Sequence, residues 1–132
     1  DINDIAMVLS LLIGTGNTPN AIQKARAEVR QGISFYGSTR SYTPFMEFHG
    51  WGELVPRLHE LSIEGKWGEM ASLIPDEMVD SISIVCPPDE IVPRMKERYG
   101  GLAHRISLDT DFFWGLDRHF REELVEGLAA IA

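Results

Sequence analysis

The residues of this chain whose types could do chemistry fall in a few places. Gly14, Thr15 and Gly16 follow an apolar run and precede Pro19, so they read as a turn from a strand into a helix. Backbone N–H groups at such a turn can meet an anion, and ligands of α/β barrels gather at the carboxyl ends of strands. These three are therefore candidate cofactor-binding residues. A plain connecting turn is the alternative, because two glycines fall short of a full phosphate-binding fingerprint. Arg40, Tyr42 and His49 sit in a stretch of seventeen positions that also holds Phe35, Tyr36, Phe45, Phe48 and Trp51. One cation among rings suits a planar group, a phosphate or an acidic tail, which makes the three candidate substrate-binding residues. The competing reading has Tyr36, Phe45, Phe48 and Trp51 forming a small core of their own.

Other reactive types point to less. His49, His59, His104 and His119 show no close ligand spacing, and the single cysteine, Cys86, has no partner for a disulfide or a cysteine-rich metal site, so no metal is expected. His59 and His119 read as helix-surface residues, and His104 as a satisfied edge or core residue. The acidic pairs Asp76 and Glu77, Asp89 and Glu90, and Glu122 and Glu123 suit helix starts or solvated faces. No pair can be assigned as acid and base, and the catalytic residues stay unassigned. Asp109, Thr110 and Asp111 follow a predicted strand, where capping a helix is their first role and lining a pocket their second.

The elements that must position these groups follow from hydrophobic period and breakers. Residues 5–13 are apolar on both parities, as in a parallel strand covered on both faces. From Pro19 to about Tyr36, Ile22, Ala25, Val29, Ile33 and Tyr36 recur at three and four, the period of an amphipathic helix. A turn is expected over 37–43, then short helices over 44–49, 52–62 and 66–74, and one more turn to Val79. Leu54, Val55, Leu58 and Leu61 face inward in the second of these helices, and Trp67, Met70, Ala71 and Ile74 in the third. Residues 81–85 read as a strand, 89–99 as a helix that tolerates Pro93 only if it starts near Asp89, and 103–108 as a third strand. A last helix from 109–111 onward carries Phe113, Leu116, Phe120, Leu124, Leu128 and Ile131 on one stripe. Strands alternating with helices give βαβ units and a parallel sheet.

Composition bounds the partners. The chain has 132 residues, 44% hydrophobic and 24% charged, with a net charge of -8, which is a globular composition. Twelve basic residues against twenty acidic ones cannot supply the positive surface that nucleic acid or an anionic membrane demands. The longest apolar run is far below the ~20 residues needed to cross a bilayer. Sparse cysteine favours a reducing, cytoplasmic setting. Asp1 is no natural start, so the chain is expected to be cut from something longer.

The run FYGSTRSYTP at 35–44, continuing as EFHGWG at 47–52, resembles the luciferase-like monooxygenase family, and more closely its branch that uses the deazaflavin coenzyme F-420. WGEM at 67–70, IPDE at 74–77, PPDE at 87–90 and YGG at 99–101 extend the resemblance in order over about 18–108. It implies an α/β chain, mostly helical with about three parallel strands, forming the carboxyl-terminal part of a (β/α)8 TIM barrel, with residues 35–80 as a helical aromatic insertion. It implies an oxidoreductase or monooxygenase that passes hydride between F-420, with FMN as runner-up, and a small organic substrate. Its partners would be the remainder of the barrel and, as a homo-oligomer, a further copy. Most catalytic contacts would then lie before Asp1, and the segment alone would be inactive. Two positions depart from the pattern: Cys86 and Pro87 stand where a small Gly-Thr or Gly-Pro turn is common, and Arg40 where a smaller residue is. A reading from another class is a non-catalytic module that dimerises through the sheet edges of half a barrel.

Overall fold

The computed structural model describes residues 6–108 and 116–131. In chain order its elements are β1 (Val8–Thr15), α1 (Pro19–Gly37), a 3-10 turn (Arg40–Tyr42), α2 (Thr43–Phe48), α3 (Leu54–Ile63), α4 (Trp67–Ser72), α5 (Asp76–Ile82), β2 (Ser83–Cys86), α6 (Pro88–Tyr99), β3 (Arg105–Leu108) and α7 (Arg118–Ala129). The α/β class, the helical majority and the three parallel strands match the expectation from sequence. No helix among the described residues is long and apolar enough to cross a membrane. The chain divides into two compact units, Asp1–Gln23 with Ser83–Ala132, and Lys24–Ile82.

The first unit is built on β1. Eight residues long, it pairs with β2 over Leu12–Thr15 and with β3 over Val8–Leu11, which gives the strand order β2-β1-β3. Barrel strands that follow one another in sequence lie side by side in space, which would have given the order β1-β2-β3. β1 is twice as long as either partner and meets β2 along its carboxyl half and β3 along its amino half. Leu11, Ile13, Ile84, Cys86, Ile91, Met95 and Leu124 form the core. Leu116, Phe120, Leu128 and Ile131 of the expected last stripe pack against it. Coverage of β1 on both faces is only partly met, since Leu11, Ile13 and Gly14 are buried but Val8 and Ser10 are exposed. Within α6, Pro93 lies beyond the first turn that begins at Pro88, so the bond its N–H would have given to the Asp89 carbonyl is absent. Asp117 caps α7 by accepting from the Phe120 N–H at 3.0 Å. The anticipated roles of Ile5, Asp109, Thr110, Asp111 and Phe113 lie outside the described residues.

The second unit packs the rest of α1 with α2 to α5. Its buried side chains include Ile33, Met46, Leu58, Leu61, Met70, Ile74 and Met78. Flexible thioethers, not rings, fill the space between these short helices. The aromatic core expected from sequence is therefore corrected: Tyr36, Phe45 and Phe48 are exposed and Trp51 is half-buried. Trp67, expected to point inward, is exposed as well. The reason lies in α1, whose buried stripe runs from Ala25 through Val29 and Ile33 to Gly37. A Cβ on Gly37 would stand 3.1 Å from Leu58 Cδ1 and 3.3 Å from Met46 Cε, so the stripe ends where neighbours close in and Tyr36 is turned outward. Arg26 donates to Asp80 at 2.7 Å and to Asp76 at 3.1 Å, while Arg30 also pairs with Asp76 and donates to the Ile74 carbonyl at 2.8 Å. Strand β2 starts two residues later than expected because α5 continues through Ile82.

Candidate functional site

The carboxyl ends of β1 and β2 lie level, with Thr15 opposite Cys86. The Thr15 hydroxyl donates to the Cys86 carbonyl at 2.8 Å, tying the two strand ends together across the sheet. Gly14 is buried in β1. A Cβ on Gly16 would fall 2.5 Å from Ala21 Cβ and 2.7 Å from the Ala21 carbonyl carbon. No side chain fits there, so this glycine lets the turn close on the first turn of α1. Thr18 caps that helix, its Oγ1 accepting from the Ala21 N–H at 3.2 Å and its carbonyl from Ile22 N–H at 3.0 Å. Burial holds the Cys86 thiol above the ordinary thiol range, which keeps it protonated and a poor nucleophile. The strand-end turn thus presents a backbone rim in which the Thr15 hydroxyl already has its partner.

Arg40, Tyr42 and His49 stand in a different setting. All three are exposed, and none of their side chains makes a hydrogen bond or ion pair with a described residue. Arg40 and Tyr42 share the 3-10 turn, closed by Tyr42 N–H to the Thr39 carbonyl at 3.0 Å, and Thr39 N–H in turn reaches the Tyr36 carbonyl at 3.0 Å. Through that turn the Tyr42 ring meets Tyr36 edge-on at 5.5 Å. Tyr36 lies 5.8 Å from Phe35, and Phe35 lies 6.3 Å from Trp67. His49 belongs to a second group, stacked on Trp51 at 5.3 Å and 18°, with Phe45 at 4.5 Å and Phe48 edge-on at 5.2 Å. No ring contact among the described residues joins Tyr42 to His49.

Sequence reasoning missed Phe35 and Trp67 as members of this surface. Two neighbouring rings at 35 and 36 were the available signal, since a helix stripe cannot bury both side by side. The pairing of Asp76 with two arginines was also missed, although its place in the first turn of α5 was read. There Arg26, and then Arg30, hold the Asp76 carboxyl below the usual carboxylate range. His104 does prove to be a satisfied edge residue, its Nδ1 accepting from Met7 N–H at 3.1 Å. Among the described residues no three His, Cys, Asp or Glu side chains gather as metal ligands.

Comparison with known proteins gives the family of the chain. Uncharacterised proteins of Mycobacterium bovis and of Mycobacterium tuberculosis are 38% identical over 96 residues, which cover 73% of this chain and 28% of theirs. The chain thus spans less than a third of the length of the relatives it matches. No solved structure matches it. The sequence profile of the luciferase-like monooxygenases matches residues 1–105, and the chain belongs to that family.

Proposed function

We propose that the chain is the carboxyl-terminal part of a luciferase-like oxidoreductase barrel that moves hydride between a deazaflavin coenzyme, F-420, and a small organic substrate, with FMN as the second choice of coenzyme. Family membership over residues 1–105 is the observation that carries this reading. Members of the family work with flavin-type cofactors. The bound coenzyme would supply the hydride donor or acceptor. Residues of this chain fit only its border: at Gly14, Thr15 and Gly16 the backbone forms a rim, and the Thr15 hydroxyl is engaged by Cys86. In this reading the groups that grip the coenzyme come from the remainder of the barrel, and the present segment alone is inactive. Arg40, Tyr42 and His49, exposed and with no side-chain hydrogen bond or ion pair to a described residue, take the substrate side.

The strand order β2-β1-β3 leaves the outer edges of β2 and β3 without a described neighbour. An open edge is a template for pairing, which supports a homo-oligomer or completion by further strands of the same protein. The proposed setting is the cytoplasm. The test is titration of the longer polypeptide and of this chain with F-420, FMN and nicotinamide coenzymes, following both binding and hydride transfer. Binding and turnover with F-420 by the longer form alone are expected. Absence of both with every coenzyme would overturn the reading.

A further inference from the structure

Four rings of the second unit, Trp67, Phe35, Tyr36 and Tyr42, run in series with centroids 5.5 to 6.3 Å apart, and all four are exposed. Single exposed rings are ordinary on a protein surface, but a contiguous apolar strip marks a place of contact. At its Tyr42 end lies Arg40, in the turn whose backbone bonds run from Tyr36 through Thr39 to Tyr42. The charges of this unit single that residue out. Lys24 pairs with Glu28, Arg26 with Asp76 and Asp80, Arg30 with Asp76, Arg57 with Glu60, and Lys66 with Glu64. Arg40 alone among its cations meets no described carboxylate, though Glu47 and Glu53 follow within the same helical region. In a chain of net charge -8, a guanidinium without a described carboxylate partner, carried on the same turn as Tyr42, stands out.

We infer that this strip is the seat of a substrate with a flat aromatic body and one anionic group, the body lying along the rings and the anion held by Arg40. The inference rests on the proposed function in placing substrate at Arg40 and Tyr42, and it adds the substrate's class. A guanidinium offers paired N–H donors to a carboxylate, sulfonate or phosphate oxygen, and ring faces and edges accept a planar body by offset or edge contact. A neutral planar molecule would gain only the second contribution. A cation would gain nothing from Arg40.

The experiment is calorimetric titration of the 132-residue chain with naphthalene-2-sulfonate and with its neutral isostere naphthalene-2-sulfonamide. The sulfonate should bind about tenfold more tightly than the sulfonamide, as one charge-assisted contact implies. Arg40→Gln should abolish that preference while leaving sulfonamide binding unchanged. Tyr42→Ala should weaken both probes. Circular dichroism confirms that each variant folds, which is expected because both side chains are exposed. Equal binding of the two probes by the parent chain, or no binding of either, overturns the inference. So does displacement of the sulfonate by F-420 or FMN, which would make the strip a coenzyme surface. Coenzyme titration of Arg40→Gln in the longer polypeptide separates the two readings: unchanged coenzyme binding together with lost sulfonate preference supports both, while failure of all coenzymes removes only the proposed function.

Discussion

The turn after β1 and the turn after α1 both carried candidate residues, yet they differ in what their groups are already doing. At Gly14, Thr15 and Gly16 the hydroxyl is bonded to Cys86, and the absent Cβ of Gly16 makes room for Ala21. At Arg40 and Tyr42 the guanidinium and the phenol hydroxyl have no described hydrogen-bond or ion-pair partner, and Tyr42 and its neighbours Tyr36 and Phe35 are exposed. Side chains that hold the fold together are engaged within it, whereas a surface left open in this way has its contacts still to make. Substitution at the first turn should therefore damage the fold, and substitution at the second should damage recognition.

The largest effect is expected at Gly16. In Gly16→Ala the new methyl meets backbone as well as Ala21 Cβ, and backbone cannot step aside as a side-chain tip can. Overpacking of this kind costs about 1–3 kcal/mol, read as a lower urea midpoint with an unchanged slope. If Gly16→Ala instead keeps its stability and loses only coenzyme affinity in the longer polypeptide, the contrast between the two turns fails. Thr15→Val comes next. It preserves shape but deprives the Cys86 carbonyl of its donor at a half-buried site, for a loss of about 1–2 kcal/mol by the same measurement. Coenzyme affinity should be preserved, because the hydroxyl points to Cys86.

How far the sequence disclosed these differences depends on the range of the forces involved. Helix α1 was legible almost to the residue, since Thr18, Pro19 and the spacing of Ala25, Val29 and Ile33 are local signals. So were α3, with Val55, Leu58 and Leu61 buried, and the strand character of β1. The order of strands was not legible, because pairing is settled by which edges remain open once distant segments meet. Nor was the outward turn of Tyr36, which continues the apolar spacing of α1. Gly37 takes the buried position in its place, where Leu58 and Met46, from other helices, come close enough to crowd any side chain. The candidate site was legible as a concentration of residue types. That Thr15 was engaged and Arg40 free could be seen only with their neighbours in place.

A smaller effect is expected at Asp76, which fastens α5 to α1 without belonging to either turn. Its carboxyl sits below the usual range because Arg26 and Arg30 favour the charged form, so the folded state holds its proton less tightly than the unfolded chain does. That stabilisation is complete above the ordinary carboxylate range and is lost as pH falls through the lowered value. Asp76→Asn should accordingly unfold at lower urea than the parent at neutral pH, and the gap should close in acid. A gap that persisted in acid would show that the asparagine disturbs packing instead of removing a charge.

The smallest expected effect sharpens the contrast most. Phe48 is 85% exposed, whereas Leu58 in the same unit is 0% exposed. Truncating a buried leucine to alanine costs about 2–5 kcal/mol, while an exposed ring replaced by serine should leave stability within about 0.5 kcal/mol. Phe48→Ser should thus match the parent chain in thermal melting at low protein concentration. A clear loss that grows with protein concentration would mean that another copy covers the ring in solution. The aromatic face would then be engaged in its own way, and openness could no longer distinguish the second turn from the first.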